Sequence, residues 1–198
     1  MAQPKTFYFD NNATTRIAPE VVDVILPFLS DYWGNPSSVY RFGNQLTKHL
    51  EAARLKVATL INADPRELIF TSCGTESNNS AIHSALMTSP GKRHVLTTAV
   101  EHSSNINFCE SLEKRGYEVT FLPVESDGGL DLHLLEKSIR PDTAIVSVMW
   151  ANNETGVIFP MEEVAAVCRS KGVMCHTDAV QTPGKLKIDV EGLGVDFL

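Results

Sequence analysis

The sequence predicts an α/β fold, a mainly parallel sheet with helices on both faces, and three observations carry that prediction. Six short, mostly apolar runs alternate with six longer segments of helical apolar spacing along the 198 residues. Helical segments close on a basic residue followed by glycine, as in Arg115-Gly116 and Lys171-Gly172, where glycine can take the left-handed conformation that ends a helix. The composition, 43% hydrophobic and 21% charged, is that of an ordinary folded domain and argues against a disordered, collagen-like or membrane class.

In chain order, the apolar run 7–9 predicts a first strand, and the periodic stretches 18–29 and 44–61 predict two helices. A strand at 68–71 then leads into a helix at 76–87, a strand at 94–98 into a helix at 104–115, and a strand at 118–122 into a helix at 132–139. The most apolar run, 144–149, predicts a buried strand, followed by a helix at 161–171 and a last strand at 173–176. No internal repeat, low-complexity tract or linker marks a domain boundary. In such a sheet, ligands bind beyond the carboxyl ends of the strands, so the turns after the strands are where chemistry is expected.

A formal net charge of -7 without a lysine or arginine cluster argues against nucleic acid as a partner and favours a small-molecule substrate. The longest apolar run, 144–151, is too short to cross a bilayer, and the start MAQPKTFYFD has no basic-then-apolar leader. A soluble, cytoplasmic protein that is not exported is expected. Cys73, Cys109, Cys168 and Cys175 form no CxxC pair and no zinc-site spacing, so no metal is expected and a reducing compartment fits best.

Four turns carry candidate chemistry. In 71–79, a glycine and a hydroxyl residue, Gly74 and Thr75, stand at a helix start, which suits either an anion such as phosphate or an ordinary capped helix. After the strand 94–98, His102 can stack on a ring, move a proton or cap the next helix. Asn152, Asn153 and Glu154 follow the buried strand and read as a satisfied turn or a polar site. At the last strand end, Asp178 with Gln181 three residues on can face a heterocyclic nitrogen and a neighbouring ring oxygen, or Asp178 can simply cap a helix. Together the four turns match a phosphorylated heterocycle better than a nucleotide, because neither a P-loop nor a dinucleotide glycine pattern is present.

The chain also resembles the cysteine desulfurases, fold-type I pyridoxal-phosphate enzymes of the class-V aminotransferase superfamily. The resembling segments are 9–15, Gly34-Asn35-Pro36-Ser37-Ser38, Arg41-Phe42-Gly43, 74–79, Glu101-His102, 152–156 and 176–181, in the family's order and over the whole chain. The resemblance implies that Gly74 and Thr75 bind the cofactor phosphate, that His102 stacks on the ring and assists proton transfer, and that Asp178 holds the pyridine nitrogen. It further implies that Asn153 and Gln181 contact the ring's phenolic oxygen side and that Asn35 lines the substrate end. The implied reaction takes sulfur from free L-cysteine, leaves it as a persulfide on an enzyme cysteine for a sulfur-acceptor or scaffold protein in iron–sulfur cluster or other sulfur-transfer pathways, and releases L-alanine. A homodimer is implied as well.

The family's cofactor-anchoring lysine, nucleophilic cysteine, substrate-binding arginine and small C-terminal domain are expected beyond Leu198. The chain therefore reads as an N-terminal fragment, residues 1–198 being part of the transferase's major domain and incomplete. Lys185 and Lys187 read as exposed loop positions, and none of the four cysteines fits the sulfur-accepting position. A non-catalytic cofactor-binding or interaction module, and a selenocysteine lyase or aminotransferase of the same fold, stay open as alternatives.

Overall fold

The computed structural model describes residues 6–198; the first five positions of the stretch read as lacking a leader lie outside the described residues. Two compact units divide the chain, Met1–Leu60 and Ile61–Leu198.

The first unit is helical. Helix α1 (Pro19–Ser30) starts with proline in its first turn, where the missing N–H has no intrahelical role, and α2 (Arg41–Ile61) follows after a turn. No residue of α1 is buried; Phe28 and Tyr32 instead meet His49 of α2 at ring-centroid distances of 5.2 Å each. The turn before α2 lies against Gly43, where a Cβ would come within 2.2 Å of the Asn35 carbonyl oxygen, so only glycine permits this close approach.

The second unit holds the sheet. Its elements are a 3-10 turn (Pro65–Glu67), α3 (Gly74–Thr88), β1 (His94–Thr98), α4 (Ser103–Lys114), β2 (Glu118–Leu122), α5 (Leu132–Ser138), β3 (Thr143–Ser147), α6 (Met161–Lys171), β4 (Met174–His176) and α7 (Val190–Leu193). All strand pairs are parallel, in the order β2-β1-β3-β4, with Val95 opposite Val119 on one side and Ile145 on the other. Alternate residues serve opposite faces: Val95 and Ile145 pack with Ile82, Ala85, Cys109 and Leu112 of α3 and α4, whereas Leu96, Val146 and Cys175 pack with Leu135, Val164 and Cys168 of α5 and α6. Both faces of the sheet are thus covered, as the strand and helix alternation predicts.

Helix ends obey local chemistry. Asp131 caps α5 by accepting from the amides of His133 and Leu134 at 2.8 and 3.0 Å. Gly172 closes α6 at φ +65°, after Arg169 and Lys171 in its last turn, and Gly116 stands at φ +80° after α4. Phe159, 1% exposed, belongs to the buried cluster on the α5/α6 face. Its replacement by alanine is expected to lower unfolding free energy by about 3–5 kcal/mol in a urea titration.

Two expected strands are corrected. Residues 7–9 and 68–71 adopt no strand conformation, and Phe9 and Ile69 are 90% and 84% exposed. An apolar run is a strand only where it joins a sheet, and among the described residues neither run is part of the four-stranded sheet. The strand order does reverse direction between β1 and β3, since β1 leads outward to β2 and the chain then crosses back to β3 and β4. Such a switch point opens a crevice at the carboxyl ends of the strands, where the turns after β1, β3 and β4 meet.

Candidate active site

Helix α3 opens on Gly74 with Cys73 at its N-cap, and no side chain caps the first-turn amides. The turn before it is tied internally: the Ser72 amide donates to Glu76 Oε2 at 2.6 Å, and Thr71 Oγ1 lies 2.7 Å from Ser77 Oγ. This helix start favours negative charge. The exposed Cys73 thiol is held below the ordinary thiol range, first by the Glu76 amide and then by the Ser72 hydroxyl. A Cβ on Gly74 would sit 3.1 Å from Val180 Cγ2, which places the helix start against the turn after β4.

The turn after β1 is fastened by Glu101, a buried carboxyl. Its Oε1 accepts from Thr98 Oγ1 at 2.7 Å and from the Met149 amide at 2.9 Å, and its Oε2 accepts from Asn105 Nδ2 at 3.1 Å. Burial pushes this carboxyl up to about 7, and the charge of Asp178 adds to the effect. Asn105 Nδ2 also donates to Ser147 Oγ at 3.0 Å, which lies 2.8 Å from His176 Nδ1. His176 is buried and pushed down to about 4 by desolvation, against the pull of Asp178. This network fixes the next residue, His102, at the N-cap of α4, where its Nδ1 accepts from the Ser104 amide at 3.2 Å.

The turn after β3 is organised by Asn152, whose Oδ1 accepts from the amides of Glu154 and Thr155 at 2.9 Å each and whose Nδ2 donates to the Val100 carbonyl at 3.1 Å. Asn152 is therefore the structural member of the pair, and the half-buried Asn153 is carried on the turn it builds. Asp178, 7% exposed, accepts from Asn78 Nδ2 at 2.8 Å and from the Val180 amide at 3.0 Å. Gln181, on the same turn, accepts from the exposed Lys185 Nζ at 2.6 Å.

Gly74, His102 and Asp178 are joined by direct contacts and hydrogen bonds between their turns, with Thr75 and Gln181 on the same turns as Gly74 and Asp178. Asn153 lies on the turn that Asn152 ties to Val100. Asn35 belongs to the first unit, where its Oδ1 accepts from the Ser37 amide at 2.9 Å. A cleft of about 500 Å³ lined by Ile61, Leu68, Val190 and Phe197 contains none of these residues. Among the described residues no cluster of three or more His, Cys, Asp or Glu side chains is arranged to hold a metal.

The family model "Aminotransferase class-V" matches residues 7–198. The chain belongs to the class-V aminotransferase family. Among similar class-V proteins, a cysteine desulfurase of Nostoc sp. is 50% identical over 191 residues, 96% of this chain and 48% of the relative. A solved structure titled "NIFS-LIKE PROTEIN" superimposes with a TM-score of 0.91 at 40% identity, covering 96% of this chain and 54% of that one. Another, titled "SspA in complex with cysteine", gives 0.93 at 34% identity, covering 96% and 55%. The chain spans about half the length of the relatives it matches.

Within this class-V frame, three buried groups in or beneath the site have no role in the sequence reading: Asn78, Ser104 and the Ser147/His176 pair. The signal for Asn78 is its position, four residues after Gly74 and so on the same side of α3. Its two partners lie 26 and 100 residues away and leave no local trace.

Proposed function

We propose that the chain is the N-terminal part of a pyridoxal-phosphate-dependent cysteine desulfurase, residues 1–198 forming part of its major domain and the cradle of its cofactor. The observation that carries this reading is the buried Asp178 carboxylate, held by Asn78 and Val180 on the turn that packs against the uncapped start of α3. The residues present fit the group: a helix start that favours an anion, an acid for a ring nitrogen, an imidazole and two carboxamides.

When bound, pyridoxal phosphate supplies an electron-poor ring that takes up the electrons of a bond broken at the substrate's Cα. The chain's own residues prepare that chemistry. Gly74 and Thr75 hold the phosphate with the first-turn amides and a hydroxyl. Asp178 keeps the ring nitrogen protonated, because a carboxylate beside it favours the cationic form. His102 covers the ring face and assists proton transfer. Asn153 and Gln181 fix the oxygen side.

The proposal extends to L-cysteine as substrate, a homodimer, and a sulfur-acceptor or scaffold protein as partner. The names of the similar proteins support it, including the neighbour whose title has it in complex with cysteine. Four free cysteines accord with a reducing, cytoplasmic setting, and among the described residues no helix is long and apolar enough to cross a membrane. The test is product analysis of the complete polypeptide that carries this chain. With L-cysteine and a thiol reductant, alanine and sulfide are expected in equal amounts; a keto acid formed only with an amino acceptor would assign an aminotransferase instead.

A further inference from the structure

Asn78 is 4% exposed, and its Nδ2 reaches two acceptors on different elements: Asp178 Oδ2 after β4 at 2.8 Å and Ser104 Oγ of α4 at 3.3 Å. A carboxamide nitrogen has two N–H bonds, one for each. Ser104 Oγ stands 2.8 Å from His102 Nδ1, which also receives the Ser104 backbone N–H at 3.2 Å. A backbone N–H can only donate, so Nδ1 carries no proton, the Ser104 hydroxyl donates to it, and the neutral ring has its proton on Nε2. Every link then has a defined direction, from Asn78 to Asp178 on one side and from Asn78 through Ser104 to His102 on the other.

We propose that Asn78 is a positioning residue that sets the Asp178 carboxylate and the His102 imidazole relative to each other, with Ser104 carrying the link to the ring. This rests on the reading of Asp178 and His102 as the groups at the ring nitrogen and ring face of the cofactor. A buried asparagine in a merely structural role needs its hydrogen bonds satisfied by any partners. Asn78 instead spends both donors on the turn that carries Asp178 and on the first turn of α4, next to His102. Its loss removes one of the two hydrogen bonds named for Asp178 and the group behind Ser104 at once. Outer partners of this kind, best measured behind metal ligands, change activity by roughly 10–100-fold when removed.

The experiment compares Asn78→Leu, of similar volume but without donors, and Ser104→Ala with the unaltered complete protein. Nitrogen-15 NMR reads the His102 ring in the cofactor-free protein and the pyridine nitrogen in the loaded one. In the unaltered protein, distinct signals for a protonated Nε2 and a bare Nδ1 are expected. Both variants should draw the two His102 signals together, and only Asn78→Leu should also move the pyridine nitrogen. The kcat of Asn78→Leu on cysteine should fall about ten-fold with KM little changed. Unchanged His102 signals in variants that melt cooperatively would overturn the proposal. If Asn78→Leu does not fold, Ser104→Ala decides on the His102 signals alone. A protein that binds pyridoxal phosphate yet releases no alanine would remove the desulfurase reading, while the cofactor-free spectra would still decide the positioning role.

Discussion

Asp178→Asn is expected to lower kcat of the complete protein on cysteine by roughly 10²–10³-fold, the range for removing one preorganised electrostatic partner from an active site. The side chain keeps its size, and its oxygen can still accept from the Val180 amide, which now binds Asp178 Oδ1 at 3.0 Å. Two things change. The negative charge proposed to face the ring nitrogen disappears, and the new amide group faces Asn78 Nδ2, a donor now 2.8 Å from Asp178 Oδ2. Cofactor affinity should fall far less than kcat, because the phosphate contacts proposed for Gly74 and Thr75 come from a separate element. Stopped-flow and equilibrium binding separate the two effects. Equal losses in affinity and kcat would mean that Asp178 acts as an anchor, not as a partner of the ring nitrogen.

Glu101→Ala is expected to destabilise the fold by on the order of 5 kcal/mol, since each orphaned buried donor costs about 1–3 kcal/mol. It would strand the Thr98 hydroxyl, the Met149 amide and one Asn105 N–H. Glu101→Gln is milder and exposes a pH linkage. The folded Glu101 carboxyl stands at about 7 against an ordinary 4.5, so its contribution to stability is complete below 4.5 and is lost as pH rises through 7. His176 stands at about 4 against 6.5, so its contribution is complete above 6.5 and is lost as pH falls through 4. The two slopes oppose each other between 4.5 and 6.5. Removing the Glu101 titration leaves the His176 slope, so relative to the unaltered protein the Gln variant should gain stability with rising pH by up to about 1.4 kcal/mol per unit. Urea unfolding across that window measures the difference; parallel curves would contradict the buried-carboxyl assignment.

Much of the fold is legible in the sequence where burial and periodicity agree. The strands at 94–98 and 118–122 and the helix at 161–171 coincide with β1, β2 and α6 residue for residue. Residues 68–71 mislead because an apolar run records a tendency to be buried, not the presence of a strand beside it. The four-residue α7 and the 3-10 turn are too short to carry a period.

The site divides in the same way. Strand-end position points to His102 and Asp178 and helix-start chemistry to Gly74, before which no strand forms, and their turns do meet. In the Asn152-Asn153 pair, composition alone could not tell the turn-builder from its passenger; hydrogen bonds to the amides of Glu154 and Thr155 do. The sequence assigns no role to Asn78, Ser104, Ser147 and His176 because their partners come from other strands and helices.

The most direct measurement of the central claim, that these turns form a pyridoxal-phosphate cradle, is a crystal structure of the complete protein soaked with the cofactor. The phosphate is expected within hydrogen-bond reach of the Gly74 and Thr75 amides, the pyridine nitrogen against Asp178 and the imidazole of His102 over the ring. A cofactor bound with its phosphate away from the start of α3, or with its ring nitrogen turned from Asp178, would contradict it.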